Sequence, residues 1–280
     1  MKKILLPTDF SDNSRNAIKY AVELYKDEKC LFYLLNTIYD TDNILHGSIY
    51  EIYKERSFKE LELLEQEISS KYKNDKHSFK KVATVNLLNE QIKTLVKAEG
   101  IDLIIMGTQG ATGAQEILFG SYTVSAIKVA ECPLLAIPEE FSYRKPKNIV
   151  LATDYGVDFE SYQLDLLKKV AKRNNSQLHV VHVNVNDKPL KEIEVHSKEM
   201  LKNSLKDLDV VFDEVEGNSV QEAIFKYDDT TPIDLLVMIK HKHTFFERLF
   251  LGSQIYKIGY HTTFPFLVLP SEYVEETTTV

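Results

Sequence analysis

The chain has 280 residues, 44% of them hydrophobic and 27% charged, which are globular proportions that exclude a disordered chain. Lysine and arginine number 34 against 42 aspartates and glutamates, a net charge of -8, whereas a nucleic-acid partner usually calls for a basic surface. No apolar run reaches the roughly 18 residues of a membrane-spanning helix, the start Met1–Pro7 is too short for a signal peptide, and Cys30 and Cys132 cannot frame a disulfide-built domain, so a cytoplasmic protein is expected.

Taken in chain order, short apolar runs suited to buried strands fall near 3–6, 31–37, 81–86, 103–106 and 134–137. Helical stretches separate them. Ser11 and Asp12 can cap a helix to about Lys26, Glu51 to Tyr72 forms a second with Leu61, Leu64 and Ile68 on one face, Asn89 can cap a third to Ala98, and Ser121 opens a fourth to Glu131. The order then repeats, with strands near 148–152, 178–184, 209–215, 235–239 and 266–269.

The repetition extends to residue identities. Lys3-Ile4-Leu5-Leu6-Pro7-Thr8-Asp9 is answered by Asn148-Ile149-Val150-Leu151-Ala152-Thr153-Asp154, 145 residues on, and Asp102–Pro138 aligns without a gap to Asp234–Pro270 at an offset of 132. Nine positions of that second stretch are identical, among them Asp102/Asp234, Met106/Met238, Gly120/Gly252, Ser121/Ser253 and Pro133/Pro265. A tandem duplication with its boundary near Phe141–Pro146 follows, giving domains 1–142 and 146–275. Strand-helix alternation makes each an α/β fold, a five-stranded parallel sheet sandwiched by helices. Split at Arg144, the halves carry 18 basic against 21 acidic and 16 against 21 residues, or -3 and -5.

Parallel sheets of this kind bind ligands beyond the carboxyl ends of their strands. The segment after the fourth strand, Met106-Gly107-Thr108-Gln109-Gly110-Ala111-Thr112-Gly113 and on to Gly120-Ser121-Tyr122-Thr123, holds four of the ten glycines. Glycine lets backbone N–H groups approach a ligand closely. Gly120-Ser121 opens a helix, whose free N–H groups and dipole favour an anion, and the hydroxyls of Ser121 and Thr123 offer further donors.

The spacing Gly107-x2-Gly110-x9-Gly120-Ser121 resembles the ATP-binding signature of the universal stress protein family. Ile4–Ser11 is similar to that family's first strand and turn, and Cys132–Pro138 to its closing strand, so the resemblance covers the chain once per half. It implies an adenine nucleotide (ATP, or ADP or AMP) in the first half. Asp9 would lie by the adenine and ribose, with Pro7 and Thr8 shaping the turn; the alternative for an aspartate after a strand is a cap or turn former. Thr37 would stand where the family has an aliphatic residue whose backbone meets adenine. Met106 would belong to the nucleotide site, Gly107 would abut the ribose, Gln109 and Gly110 the phosphates, and Gly120, Ser121, Tyr122 and Thr123 the terminal phosphates. The loop has no lysine or arginine and Lys128 lies two turns beyond Ser121, so a divalent cation such as Mg2+, ligated mostly by the nucleotide, is a natural companion.

The second half departs from this pattern. Ile239 and Lys242 replace Gly107 and Gly110 within Ile239-Lys240-His241-Lys242-His243, so its site is expected to be lost, with a different anion on the lysines and histidines as the alternative. His182 is expected to be packed or hydrogen-bonded rather than catalytic. No general base, arginine or carboxylate pair in the motif loop favours efficient catalysis. A regulatory ATP-binding stress protein is therefore expected, with a slow ATPase or a non-catalytic scaffold as alternatives. Apolar closing strands invite pairing, and the resemblance implies that the two halves pair through them as an intramolecular pseudo-dimer, with a homodimer through another face also open.

Overall fold

The computed structural model describes residues 1–38, 48–108, 120–156, 164–184, 189–240 and 263–270. They form two compact units that part between Tyr143 and Arg144. In the first, β1 (Lys2–Pro7), α1 (Asp12–Leu24), β2 (Cys30–Ile38), α2 (Ser48–Lys71), β3 (His77–Val85), α3 (Leu88–Glu99), β4 (Leu103–Gly107), α4 (Ser121–Val129) and β5 (Leu134–Ile137) alternate along the chain. The sheet runs β3-β2-β1-β4-β5, every neighbouring pair parallel. In the second, β6 (Asn148–Thr153), α5 (Asp165–Asn174), β7 (Gln177–Asn184), α6 (Glu192–Leu205), β8 (Val210–Glu216), α7 (Val220–Thr230), β9 (Leu235–Lys240) and β10 (Phe266–Pro270) repeat the plan. That sheet runs β8-β7-β6-β9-β10, again parallel throughout.

Continuous apolar runs become strands because both faces of these sheets are buried. Ile4, Leu5 and Leu6, Phe32 to Leu35, and Ile104 and Ile105 are all essentially inaccessible, each worth about 1.5–3 kcal/mol on burial. Helix α1 starts where Ser11 accepts the Ser14 N–H at 3.3 Å and buries Ala17, Ile18, Ala21 and Val22. Helix α2 lays the stripe Ser57, Leu61, Leu64 and Ile68 against β2 and β3. Helix α3 ends at Gly100, whose φ of 62° suits a residue without Cβ.

Two expectations need correction. Helix α3 is capped at Leu87, not Asn89; the Asn89 side chain instead donates from Nδ2 to Ser125 Oγ at 2.5 Å, joining α3 to α4. Strand β3 begins at His77 rather than 81, because Phe79 stacks on Phe32 with centroids 5.4 Å apart. The flanking Lys80 and Lys81 hide this edge strand from a search for apolar runs.

The duplicated residues have matching physical jobs. Asp102 accepts the Lys3 N–H on Oδ2 at 2.7 Å, and Asp234 accepts the Asn148 N–H on Oδ2 at 3.0 Å. The Pro133 carbonyl accepts Ile104 N–H, and the Pro265 carbonyl accepts Leu236 N–H, both at 2.9 Å. These groups fix where the first and fourth strands of each sheet begin, so the identities at Asp102/Asp234 and Pro133/Pro265 are those of the scaffold.

Candidate functional site

In the first unit, chain order along the sheet reverses at β1, which has β2 on one side and β4 on the other. Successive connections leave that point in opposite directions, opening a crevice at the carboxyl ends of β1 and β4. Four segments reach it: the turn after β1, the end of β2, the end of β4 and the start of α4.

The turn is closely held. Pro7 ends β1, and the Thr8 N–H bonds to the Leu35 carbonyl at 2.8 Å. The buried Thr8 hydroxyl lies 2.9 Å from Ser14 Oγ and accepts the Phe10 N–H at 3.0 Å. Phe10 has φ of 65°, a region a non-glycine residue enters only where surroundings dictate it. Arg15 Nε adds a bond to the Phe10 carbonyl at 3.1 Å, while its Nη1 pairs with Glu67 Oε2 at 2.5 Å. Asp9 is exposed, and its Oδ1 accepts both the N–H of Ser11 at 3.1 Å and its hydroxyl at 2.6 Å. The aspartate thus acts as a turn former whose carboxylate faces the surface.

Thr37, next to last in β2, is half-buried. Its neighbour Asn36 donates from Nδ2 to the Thr8 carbonyl at 2.7 Å and accepts the Ser57 hydroxyl on Oδ1 at 2.7 Å. Sequence reasoning missed Asn36, Ser57 and Arg15. No spacing announces them, since each matters only once α1, α2 and β2 are packed.

At the other side, Met106 and Gly107 finish β4 and are buried. A Cβ on Gly107 would lie 1.9 Å from Asn13 Oδ1 and 3.3 Å from the Asn13 backbone, so packing against helix α1 by itself favours a glycine there. Thr108 donates its N–H to the Ile137 carbonyl at 3.0 Å and receives the Gly120 N–H at 2.7 Å. The buried Thr123 hydroxyl points inward, to the carbonyls of Gly107 at 2.9 Å and Thr108 at 3.2 Å. Its proton therefore ties α4 to the end of β4, in place of the outward donor expected from sequence.

These bonds bring Gly107, Gly120, Ser121, Tyr122 and Thr123 together. Ser121 and Tyr122 are exposed. The Ser121, Tyr122 and Thr123 N–H groups, first in α4, meet no acceptor among the described residues. Unmet donors aligned with the helix dipole give a local positive potential in an acidic protein. Gln109 and Gly110 lie outside the described residues.

The second unit keeps the turn and changes what lies over it. Thr153 Oγ1 accepts the Tyr155 N–H at 2.9 Å, Asp154 Oδ1 accepts the Gly156 N–H at 3.0 Å, and Tyr155 has φ of 54°. The three features repeat those of Thr8, Asp9 and Phe10. Tyr155, unlike half-buried Phe10, is 1% exposed, with its ring stacked on His182 at 5.0 Å and 18°. His182 Nδ1 is 3.4 Å from Glu214 Oε1, matching the expectation of a packed, paired histidine. Burial, and then the charge of Glu214, push the Tyr155 hydroxyl above its ordinary pKa. Ile239 and Lys240 continue β9 as regular strand, while Lys242, His241, His243, Gly252 and Ser253 lie outside the described residues.

Comparison with known proteins agrees with the duplication. A family model described as the universal stress protein family matches residues 1–138 and again 145–270. Universal stress protein MJ0577 of Methanocaldococcus jannaschii is 31% identical over 158 residues, covering 50% of this chain and 97% of its own length. Universal stress protein MJ0531 of the same organism is 34% identical over 157 residues, covering 52% of this chain and 84% of its own. Among solved structures, a universal stress protein from Archaeoglobus fulgidus superposes with a TM-score of 0.66 at 20% identity, covering 96% of both chains, a likeness of fold.

Proposed function

This chain belongs to the universal stress protein family, and on that premise we propose that it is a cytoplasmic ATP-binding regulatory protein whose first unit, within 1–142, holds the nucleotide. The observation that carries the proposal is the start of α4. Three N–H groups, at Ser121, Tyr122 and Thr123, which meet no acceptor among the described residues, are pinned by the Thr123 hydroxyl at the end of β4. Hydrogen bonds to charged oxygens contribute about 1.5–3 kcal/mol each, and the dipole about 0.3–1 kcal/mol more per charge. Together they suit a phosphate chain without a cationic side chain.

In this reading Pro7, Thr8 and Asp9, with Thr37, face the nucleoside, and Met106 and Gly107 line the ribose side. Gln109 and Gly110 add backbone groups to the phosphates. Among the described residues no cluster of three His, Cys, Asp or Glu could hold a metal ion; an accompanying Mg2+ would take most of its ligands from the nucleotide. The second unit, within 146–275, is proposed to have lost the site.

The role of the protein in this reading is occupancy-dependent signalling rather than turnover. Among the described groups of the crevice, Asp9 is engaged with Ser11 and Arg15 with Glu67, leaving neither placed as a general base or a phosphate clamp. Mass spectrometry of protein purified gently and then denatured is expected to release an adenine nucleotide from the wild type and none from Gly110→Val. Equal release from both would overturn the assignment.

A further inference from the structure

The turn that carries Asp9 depends on a side chain from a different strand, itself held by a helix. Asn36 donates to the carbonyl of Thr8, the oxygen of the Thr8–Asp9 peptide, at 2.7 Å. The orientation of that peptide sets where Asp9 stands. An asparagine amide can be flipped, and flipping here would set Oδ1 against the Thr8 carbonyl, oxygen against oxygen. The Thr8 carbonyl, which can only accept, therefore fixes Nδ2 toward itself. The Ser57 hydroxyl, on a residue 6% exposed in the buried stripe of α2, then donates to Asn36 Oδ1 at 2.7 Å and braces the amide in that orientation.

We propose that Asn36 is a positioning residue for the Asp9 turn, braced by Ser57, and that helix α2 is thereby coupled to the nucleotide site. The coupling to ATP rests on the function proposed above, whereas the positioning of the turn does not. The second unit supports the distinction. Asn36 stands one residue beyond the Pro7–Leu35 pair, and the corresponding place in the second unit, paired with Thr153, is held by His182. Its ring stacks on Tyr155 and its Nδ1 faces Glu214. There the turn lies under an aromatic pair, whereas in the first unit a polar relay holds it and leaves Phe10 half-buried. Linkage makes the coupling reciprocal: ATP at the turn steadies Ser57 and α2, and anything that shifts α2 alters the affinity for ATP.

The test uses the full chain, with Asn36→Asp, Ser57→Ala and the double variant, read by residue-resolved amide exchange and by ATP titration. Asn36→Asp keeps the acceptor for Ser57 but sets a carboxylate oxygen against the Thr8 carbonyl. It is expected to speed exchange of the Phe10 amide about tenfold and weaken ATP about tenfold, with the Leu5 amide in mid-β1 unchanged. Ser57→Ala is expected to give about threefold in both, and the double variant no more than Asn36→Asp alone. Wild-type exchange at Phe10 in Asn36→Asp, or full additivity in the double variant, overturns the proposal. If the wild type binds no ATP, the functional reading fails and Phe10 exchange alone decides the positioning role by the same criteria. If Asn36→Asp does not fold, Ser57→Ala decides: faster Phe10 exchange supports the relay, and unchanged exchange overturns it.

Discussion

Gly107→Ala probes the join between α1 and β4, which sets the floor of the candidate site. The new methyl carbon would lie 1.9 Å from Asn13 Oδ1 and 2.6 Å from its Cγ, far inside contact distance. Asn13 is 2% exposed and donates to the Ile137 carbonyl at 3.3 Å, so its side chain must turn away and give up that bond. Overpacking costs about 1–3 kcal/mol and the lost bond about 0.5–1.5 kcal/mol. Restricting the unfolded chain offsets about 0.4–1 kcal/mol. The net is a destabilisation of about 0.5–4 kcal/mol, centred near 2, to be measured by native-state amide exchange in β1 and β4, which report on the first unit alone. Asn13→Ala in the same chain removes the clashing atoms, so the double variant should lose at least about 1 kcal/mol less than the sum of the singles. Wild-type exchange in Gly107→Ala, or simple additivity with Asn13→Ala, would refute the packing origin of this glycine.

Three other substitutions carry expected outcomes. Thr123→Val removes the hydroxyl shared by the Gly107 and Thr108 carbonyls; it should cost the first unit about 1–3 kcal/mol by urea titration and weaken ATP, while Thr123→Ser should retain both properties. Tyr155→Phe deletes a buried hydroxyl with no partner among the described residues and should leave stability unchanged or raise it by up to about 1 kcal/mol, so a clear loss would show that the hydroxyl is satisfied. Hydrogen bonds from Lys80, and then from Tyr33, hold the Glu99 carboxyl below its ordinary pKa of 4.5. A depressed acid contributes stability that is present above 4.5 and lost as pH falls through the lower folded value. Urea midpoints taken down the acid limb should therefore fall less steeply for Glu99→Gln than for the wild type, and identical slopes would remove Glu99 from the acid response.

The fold was legible because buried parallel strands read as continuous apolar runs and because the chain states its plan twice. Asp102 with Asp234 and Pro133 with Pro265 repeat in sequence since the same backbone groups need the same partners. The start of the edge strand β3 is hidden in the sequence because Lys80 and Lys81 interrupt its apolar pattern. Asn89 resembled a helix cap, yet its side chain serves a contact between helices that local sequence does not encode.

The site was legible in outline, from glycine spacing and the Ser121 helix start, and less so in its chemistry. Gly107 reads as a ligand contact, and the structure adds a second reason for a glycine there, since Asn13 lies where a Cβ would stand. Thr123 read as an outward donor, whereas its proton is used within the fold. Asn36, Ser57 and Arg15 come from three different elements and acquire meaning only by packing, which no single window of sequence displays. The Tyr155–His182 stack was invisible for the same reason, although His182 itself was read as packed.

The central claim is that one unit of two holds a nucleotide, and the stoichiometry of ATP binding to the full chain tests it most directly. Calorimetric titration with ATP and Mg2+ should give one site per chain in the wild type and none in Gly110→Val. Two sites per chain, no site at all, or one site that survives Gly110→Val would contradict the account.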